Sequence, residues 1–255
     1  MVSGATAEVT GTAGGGVVHR ALAAEVTRVR GLQPGRPPRV LDVGGGSGAW
    51  AVPLARLGCE VTVVDNSPNA LAALHRRAHD AGVHHLVTPV QGDVDALGEV
   101  APERGADLVL GHGLLEVVDD AGAAVAALSA ATAKGGAVSV LVAGRYAAVL
   151  ARALAGRLAE ARAVLTDPDG RFGADDALRR RIDAAALREM LEANGALRVE
   201  LLQGDGVLDG WVPGAVRDGS PAAARAVAEL EGLAAGATPL LDVSARLHAL
   251  ARRAG

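Results

Sequence analysis

The sequence contains very little cysteine, lysine or aromatic residue. Cys59 is the single cysteine, so the chain can form neither an internal disulfide nor a cysteine-based metal site, which fits a reducing compartment. Lys134 is the single lysine, and aromatic residues make up 2% of the chain. The core must therefore be built from alanine, valine and leucine.

Long apolar runs and an excess of either charge are also missing. No uncharged apolar run reaches the roughly 18 residues of a membrane-spanning helix. The N-terminus has neither the basic nor the apolar segment of a signal peptide. We therefore expect a cytoplasmic protein with no membrane partner. A net charge of −4 excludes a globally basic nucleic-acid binder, and a hydrophobic content of 50% excludes a disordered chain.

Strand-like and helix-like patterns alternate along most of the chain. The predicted strands cover residues 39–43, 60–65, 85–91, 106–112, 137–142 and 197–203, with residues 239–250 as a possible final strand. The predicted helices include residues 17–30, 48–57, 68–81 and 221–235. This alternation is typical of a parallel sheet with helices on both faces.

The pattern predicts a single α/β domain with a Rossmann-like, doubly wound and mostly parallel sheet. We expect a flexible N-terminus over residues 1–16 and the domain over residues 17–255. A partly helical stretch at about residues 145–183 follows the fifth strand and is interpreted as an insertion over the sheet. The chain shows no internal repeat.

A glycine loop after the first strand carries the strongest chemical signal. Gly44, Gly46 and Ala49 satisfy the dinucleotide-binding pattern G-x-G-x-x-G/A, and Asp65 follows where an acidic residue binds ribose hydroxyls. The glycines allow a tight turn and a close approach of the backbone to a ligand. The motif alone fits either an NAD-type enzyme or another nucleotide-like cofactor.

Three neighbouring features favour a cationic cofactor. Asp42 directly precedes the glycines, where a carboxylate would repel a pyrophosphate but attract the sulfonium and amino groups of S-adenosylmethionine. Asp93 and Val94 follow the third strand and can read an adenine. The fourth strand runs from Asp107 to His112, and its end borders the ligand crevice of such sheets. This context indicates a class I S-adenosylmethionine-dependent methyltransferase with S-adenosylhomocysteine as product.

Several segments resemble the CmoM/SmtA group of methyltransferases, which methylate the carboxyl group of 5-carboxymethoxyuridine in tRNA. They are residues 18–22, 39–46, 107–116, 183–195 and 246–248, which together run nearly end to end. The resemblance implies that Arg20 reaches the cofactor carboxylate, that His112 contacts the cofactor and that the seventh, last strand is antiparallel. It also makes a modified tRNA uridine the leading methyl acceptor.

The chain departs from this group on the substrate side. Gly206 stands where the group has an arginine available to a substrate anion, and residues 142–144 replace its F-Y-N motif. These losses favour a small metabolite as the alternative acceptor. Two further interpretations stay open: an NAD-dependent oxidoreductase and a cofactor-binding protein without catalytic activity.

The sequence thus predicts a set of site residues and no metal. The cofactor-binding residues are Arg20, Gly44, Gly45, Gly46, Gly48, Asp65, Asn66, Asp93, Val94 and His112. His112 and Glu116 are weak candidates for a general base, and Tyr146 and Trp211 for walls of the substrate pocket. The run from Arg179 to Arg181 suits either tRNA phosphates or a solvated helix face. A monomer and a homodimer are both compatible with the sequence.

Overall fold

The computed structural model describes residues 16–94, 97–101 and 105–255. The predicted flexible N-terminus lies, apart from Gly16, outside these residues. Within the described part of the chain, no helix is long and apolar enough to cross a membrane.

One sheet passes through the centre of the protein. Its strands are β1 (Arg39–Val43), β2 (Glu60–Asp65), β3 (Val87–Gln91), β4 (Ala106–His112), β5 (Thr132–Ala143), β6 (Leu197–Asp205) and β7 (Arg246–Arg253). Among the described residues these seven strands follow the order β3-β2-β1-β4-β5-β7-β6. β7 is antiparallel to both of its neighbours, and the pairs from β3 to β5 are parallel. The predicted fold class and the antiparallel last strand are confirmed.

Helices cover both faces of the sheet. They are α1 (Val17–Leu32), α2 (Ala51–Arg56), α3 (Pro68–Asp80), α4 (Leu97–Val100), α5 (Ala121–Ala131), α6 (Arg145–Leu154), α7 (Leu158–Thr166), α8 (Ala184–Glu192), α9 (Gly214–Arg217) and α10 (Pro221–Ala234). α1, α2 and α3 bury one apolar cluster against the sheet, and α4, α5 and α8 bury the other. The core is therefore aliphatic, as the scarcity of aromatic residues predicts.

Local sequence signals explain where several helices begin. Ser67, Asp120 and Asp183 each accept a hydrogen bond from the backbone N–H three residues later, at 3.3, 2.9 and 2.9 Å. These side chains cap the first turns of α3, α5 and α8, whose N–H groups have no partner within the helix. Pro68 occupies the first turn of α3, where a missing N–H costs nothing.

The predicted element boundaries differ from the observed ones at four places. The helix expected from residue 48 begins at Ala51 because the glycine loop continues through several turn residues. The third strand begins at Val87, after a short 3-10 helix, and the fifth extends back to Thr132. The predicted strand over residues 239–250 is wrong in its first part, which forms a 3-10 turn, and β7 begins only at Arg246.

The described helices α6 and α7 form the insertion after β5, as predicted. Within the insertion, the Arg145 side chain joins the start of α6 to the end of α7. Its guanidinium donates hydrogen bonds to the backbone carbonyl oxygens of Val164 at 3.2 Å and Leu165 at 3.0 Å. The buried carboxylate of Glu25 ties α1 to the sheet through Arg252 of β7 at 2.6 Å. Both contacts join segments that are distant in sequence.

Gly48 closes the glycine loop against α3 and allows a test of its packing. Its φ is +79°, and an added Cβ would collide with the side chain of Leu74. Gly82, with a φ of +71° and open space around a Cβ, is a matched control. We expect Gly82→Ala to cost about 1–2 kcal/mol from left-handed strain. Gly48→Ala should cost about 1–3 kcal/mol more from overpacking.

Urea unfolding of the two variants measures both costs. Equal losses of stability would contradict the packing role of Gly48.

Candidate functional site

The glycine loop lies at the carboxyl edge of the sheet, between the ends of β1 and β2. The Gly44 N–H donates to the Val64 carbonyl oxygen at 2.8 Å, which continues the hydrogen bonding between β1 and β2 to the start of the loop. Gly44 and Gly46 have φ values of +69° and +55°, a region that disfavours other residues. A Cβ on Gly45 would lie 2.6 Å from Cγ of Asp42, so a side chain there would displace this carboxyl group.

The Asp65 carboxylate connects the glycine loop to the next loop. One oxygen accepts a hydrogen bond from the Gly46 N–H at 2.9 Å, and the other accepts one from the Ser67 N–H at 2.8 Å. Each carboxylate oxygen has two acceptor positions, so both keep capacity for a ligand hydroxyl. The structure thus gives Asp65 a geometry compatible with its predicted role.

The Asp42 carboxyl group is buried beneath this loop. Its residue is 1% exposed, and neither carboxylate oxygen has a hydrogen-bond partner within the described residues. Burial, followed by the neighbouring charge of Asp65, raises the pKa of Asp42 to about 7. A buried carboxyl group without a partner is costly unless a ligand or a proton compensates it.

A cleft of about 470 Å³ opens beside the loop at the same edge of the sheet. The predicted residues that it brings together are Gly44, Asp65, Asn66, Asp93 and Val94. Its opposite wall comes from residues 113–124, including Asp119 and Asp120. The sequence analysis placed the end of β4 at the crevice but named none of these lining residues. Four aspartates therefore line the cleft; Arg179 offsets the charge of Asp119, and Asp65, Asp93 and Asp120 favour a ligand without negative charge.

A second cleft, of about 510 Å³, lies between α2 and α3 and is the more open of the two. Gly48 borders this second cleft and not the first. We assign the candidate site to the smaller cleft, because it lies where the strand order of the sheet reverses.

A hydrogen bond joins the side chain of Asp93 to the backbone of Val94 in this structure. The Asp93 carboxylate accepts the Val94 N–H at 2.7 Å, while the Asp93 side chain is exposed. A ligand that uses the Val94 N–H must therefore replace this hydrogen bond.

His112 lies at the end of β4 and outside the walls of the cleft. Its Nε2 is 2.8 Å from the Ser139 hydroxyl, and its ring meets Trp50 edge-on with centroids 4.7 Å apart. Its Nδ1 is buried without a partner among the residues described. Burial and nearby basic side chains, His248 first, hold the pKa of His112 well below its usual value. The ring is therefore neutral near pH 7.

The first helix, α1, places the ring of His19, and not the side chain of Arg20, beside Trp50. The His19 ring lies 4.5 Å from that of Trp50, centroid to centroid. Arg20 is exposed, and its guanidinium lies close to Gly232 of α10. The sequence analysis singled out Arg20 by resemblance and missed His19, because which side of α1 faces the loop depends on long-range packing.

Glu116, in the turn after β4, is the second buried acid of this region. The residue is 8% exposed, and its Oε2 has no hydrogen-bond partner in the described chain. Burial raises the pKa of Glu116, and the charges of Arg246 and Arg180 oppose this rise. Asp107, at the other end of β4, instead pairs with Arg36 at 2.7 Å and has a structural role.

The arginine run forms neither a helix nor an open basic surface. It lies in the irregular segment between α7 and α8. Arg180 donates to three backbone carbonyl oxygens within residues 115–119, at 2.5, 2.7 and 2.8 Å. Arg181 is buried against Asp176, and Arg179 pairs with the exposed carboxylate of Asp119 at 2.8 Å. The run thus holds the insertion against the wall of the cleft.

The remaining substrate candidates lie away from the cleft. Tyr146 and Trp211 are 37% and 44% exposed, at α6 and before α9, and neither lines the 470 Å³ cleft. Gly206 has a φ of +71°, and an added Cβ would collide with Asp209. The arginine expected there by resemblance would therefore need a different backbone. Within the described chain, no group of three or more His, Cys, Asp or Glu side chains is arranged to hold a metal ion.

Residues 40–136 match the sequence profile of a family described as "Methyltransferase domain". This segment, less than half of the chain, is therefore similar to that domain. It begins with β1 and ends within β5, so it contains the glycine loop and the whole 470 Å³ cleft.

Curated relatives are similar over part of their length. The ribosomal RNA small subunit methyltransferase J of Pseudomonas aeruginosa (strain UCBPP-PA14) is 40% identical over 73 residues, which are 29% of this chain and 28% of that protein. The ubiquinone biosynthesis O-methyltransferase of Azorhizobium caulinodans is 38% identical over 93 residues, 36% of this chain and 35% of that protein. The chain thus spans about a third of the length of these relatives.

Solved structures share the fold over most of the chain. An S-adenosylmethionine-dependent methyltransferase from Methanosarcina mazei superposes with a TM-score of 0.59 and 14% identity, covering 89% of this chain and 97% of that one. The magnesium protoporphyrin IX methyltransferase of Synechocystis PCC 6803, with bound S-adenosylhomocysteine, gives 0.56 and 13%, covering 96% and 90%. The comparisons support the predicted enzyme class and cofactor, while the narrower CmoM/SmtA resemblance stays a prediction.

The raised pKa of Asp42 predicts how stability without ligand depends on pH. The folded protein holds the Asp42 proton more tightly than the unfolded chain does. The contribution of this proton to the free energy of unfolding is therefore complete below about pH 4 and is lost as the pH rises to about 7. The loss is at most about 4 kcal/mol. Asp42→Asn should therefore gain stability relative to the wild type between pH 4 and pH 8.

Urea unfolding across this pH range measures the difference between variant and wild type. Asp80→Asn, at an exposed position of α3, is the control and should run parallel to the wild type. A constant difference for Asp42→Asn would contradict the raised pKa.

Proposed function

We propose that the protein binds S-adenosylmethionine in the cleft beside the glycine loop and methylates an oxygen or nitrogen of a small molecule. The observation that carries this proposal is the buried Asp42 carboxyl group, which lacks a partner within the described residues and lies under a loop without side chains. A positively charged ligand group above this loop would lower the cost of ionising it.

The residues around the cleft fit this cofactor. Asp65 retains acceptor positions for the ribose hydroxyls, since each of its oxygens accepts a single backbone N–H. The loop from Gly44 to Gly46 leaves room for the amino acid end of the cofactor. Asp93 and Val94 lie at the end suited to adenine, where Val94 and Leu114 are buried apolar neighbours of the cleft.

A nicotinamide dinucleotide fits the same cleft less well. Its pyrophosphate carries two negative charges, and Asp65, Asp93, Asp119 and Asp120 surround the cleft. Dinucleotide sites usually place the pyrophosphate at the start of a helix that opens within the glycine motif. Here α2 begins only at Ala51, beyond the last glycine of the loop.

The charges around the cleft favour a small molecule over a tRNA as the methyl acceptor. The Arg179–Arg181 run, the one cluster that we considered for tRNA phosphates, is bonded to the protein itself. The cleft mouth is acidic, which disfavours a phosphate backbone. The names of the two relatives above mention a ribosomal RNA and ubiquinone biosynthesis, so similarity alone does not choose between these classes.

The chain's own contribution to methyl transfer is to hold the acceptor and, where needed, to remove its proton. When bound, S-adenosylmethionine supplies a methyl group on a sulfonium. An acceptor held in line with it gains rate mainly from orientation. Glu116 does not line the 470 Å³ cleft but lies in the turn that forms its wall. It is our candidate proton acceptor for a hydroxyl or amine, because its carboxyl group has an unpartnered oxygen in the described chain and a raised pKa.

Calorimetric titration with S-adenosylhomocysteine tests this proposal. Asp65→Ala should weaken binding by about 1–3 kcal/mol, roughly 5- to 150-fold, because it removes a charged partner of the ligand. Asp80→Ala, an exposed aspartate of α3, should bind like the wild type.

The same titration with NAD and NADH tests the alternative of an NAD-dependent oxidoreductase. Binding of a nicotinamide nucleotide in place of S-adenosylhomocysteine would overturn the assignment. Binding of S-adenosylhomocysteine without turnover of any acceptor would instead favour the non-catalytic alternative.

A further inference from the structure

A chain of polar side chains crosses four neighbouring strands behind the candidate site. His112 of β4 contacts Ser139 of β5, Ser139 contacts His248 of β7, and His248 contacts Gln203 of β6. The three distances are 2.8, 2.8 and 3.0 Å. Ser139 and His248 are both 0% exposed, so water cannot replace these contacts.

The contact at Gln203 determines the direction of every hydrogen bond in this chain. The amide nitrogen of Gln203 can only donate, and it faces Nδ1 of His248. Burial lowers the pKa of His248 to about 4, so the ring is neutral near pH 7 and carries its single proton on Nε2. His248 Nε2 therefore donates to the Ser139 oxygen.

The hydrogen bond between Ser139 and His112 is the third contact, and its direction follows from the one between Ser139 and His248. The Ser139 oxygen accepts from His248, and among the described side-chain contacts its hydrogen has no acceptor other than Nε2 of His112, to which it is therefore donated. The neutral ring of His112 must then carry its proton on Nδ1. This is the nitrogen that has no partner among the described residues.

We propose that Gln203, His248 and Ser139 are positioning residues that make His112 a hydrogen-bond donor through Nδ1, and that the orientation of the Gln203 amide sets this state. The Nδ1–H would suit a carboxylate or carbonyl oxygen of a ligand that extends beyond the 470 Å³ cleft, because His112 does not line the cleft and its Nδ1 is buried. His112 does not accept a proton from the acceptor, since one ring nitrogen is protonated and the other is bonded to Ser139. The tautomer itself holds whether or not the proposed function does.

Long-range ¹H–¹⁵N correlation spectra distinguish the two tautomers of each histidine near pH 7. His112→Asn and His248→Asn identify the two signals among the seven histidines of the chain. We expect the His112 proton on Nδ1 and the His248 proton on Nε2. A His112 proton on Nε2 in the wild type would overturn the proposal.

Gln203→Glu tests the direction of the chain, because a carboxylate can only accept and requires a proton on Nδ1 of His248. Both histidines should then exchange tautomers. In the double variant S139A/Q203E, His248 should still exchange and His112 should no longer follow. An exchange at His248 with no change at His112 in the single variant would contradict transmission through Ser139.

Gln203→Met covers the case in which Gln203→Glu does not fold. It removes the donor without adding a charge, so both histidines should show mixed tautomers. Uniform wild-type tautomers in Gln203→Met would show that Gln203 does not set the state. Titration with S-adenosylhomocysteine is recorded separately, so failure of cofactor binding would count against the proposed function and leave the tautomer result intact.

Discussion

The reversal of strand order between β1 and β4 is the constraint on which the rest of the structure depends. The chain proceeds from β1 through β2 to β3 in one direction, and from β4 to β5 in the other. The loops that leave β1 and β4 therefore separate, and an uncovered cleft remains between them. The glycine loop, Asp65 and the wall from residue 113 all belong to this cleft because their strands end at the same edge.

Burial at this edge gives the site its chemistry. Asp42 and Glu116 have raised pKa values because each lies in the interior with an oxygen that lacks a partner in the described structure. Burial lowers the pKa values of His112 and His248, so both rings are neutral near pH 7. Buried acids that resist ionisation and histidines that are already neutral, beside an acidic cleft, suit a cationic cofactor better than a phosphorylated one.

The sequence predicted the sheet well because its strands and helices depend on local patterns. β-Branched runs, glycines and capping residues act over a few positions, and Gly44, Asp65 and Asp93, which line one cleft, each lie within two residues of the end of a strand. The wall after β4 and the bonds of Arg180 depend on contacts over about 60 or more residues, and the orientation of His19 depends on a contact with Trp50, about 30 residues away. No periodicity in the sequence records such contacts, and the charge of the arginine run gave no sign of its internal partners.

A crystal structure of the protein with S-adenosylhomocysteine tests the central claim most directly. The account predicts the ribose hydroxyls at the Asp65 carboxylate, the amino group of the ligand above the loop that covers Asp42, and the adenine between Asp93 and the wall after β4. A ligand bound between α2 and α3, or no ligand in the cleft at saturating concentration, would contradict it.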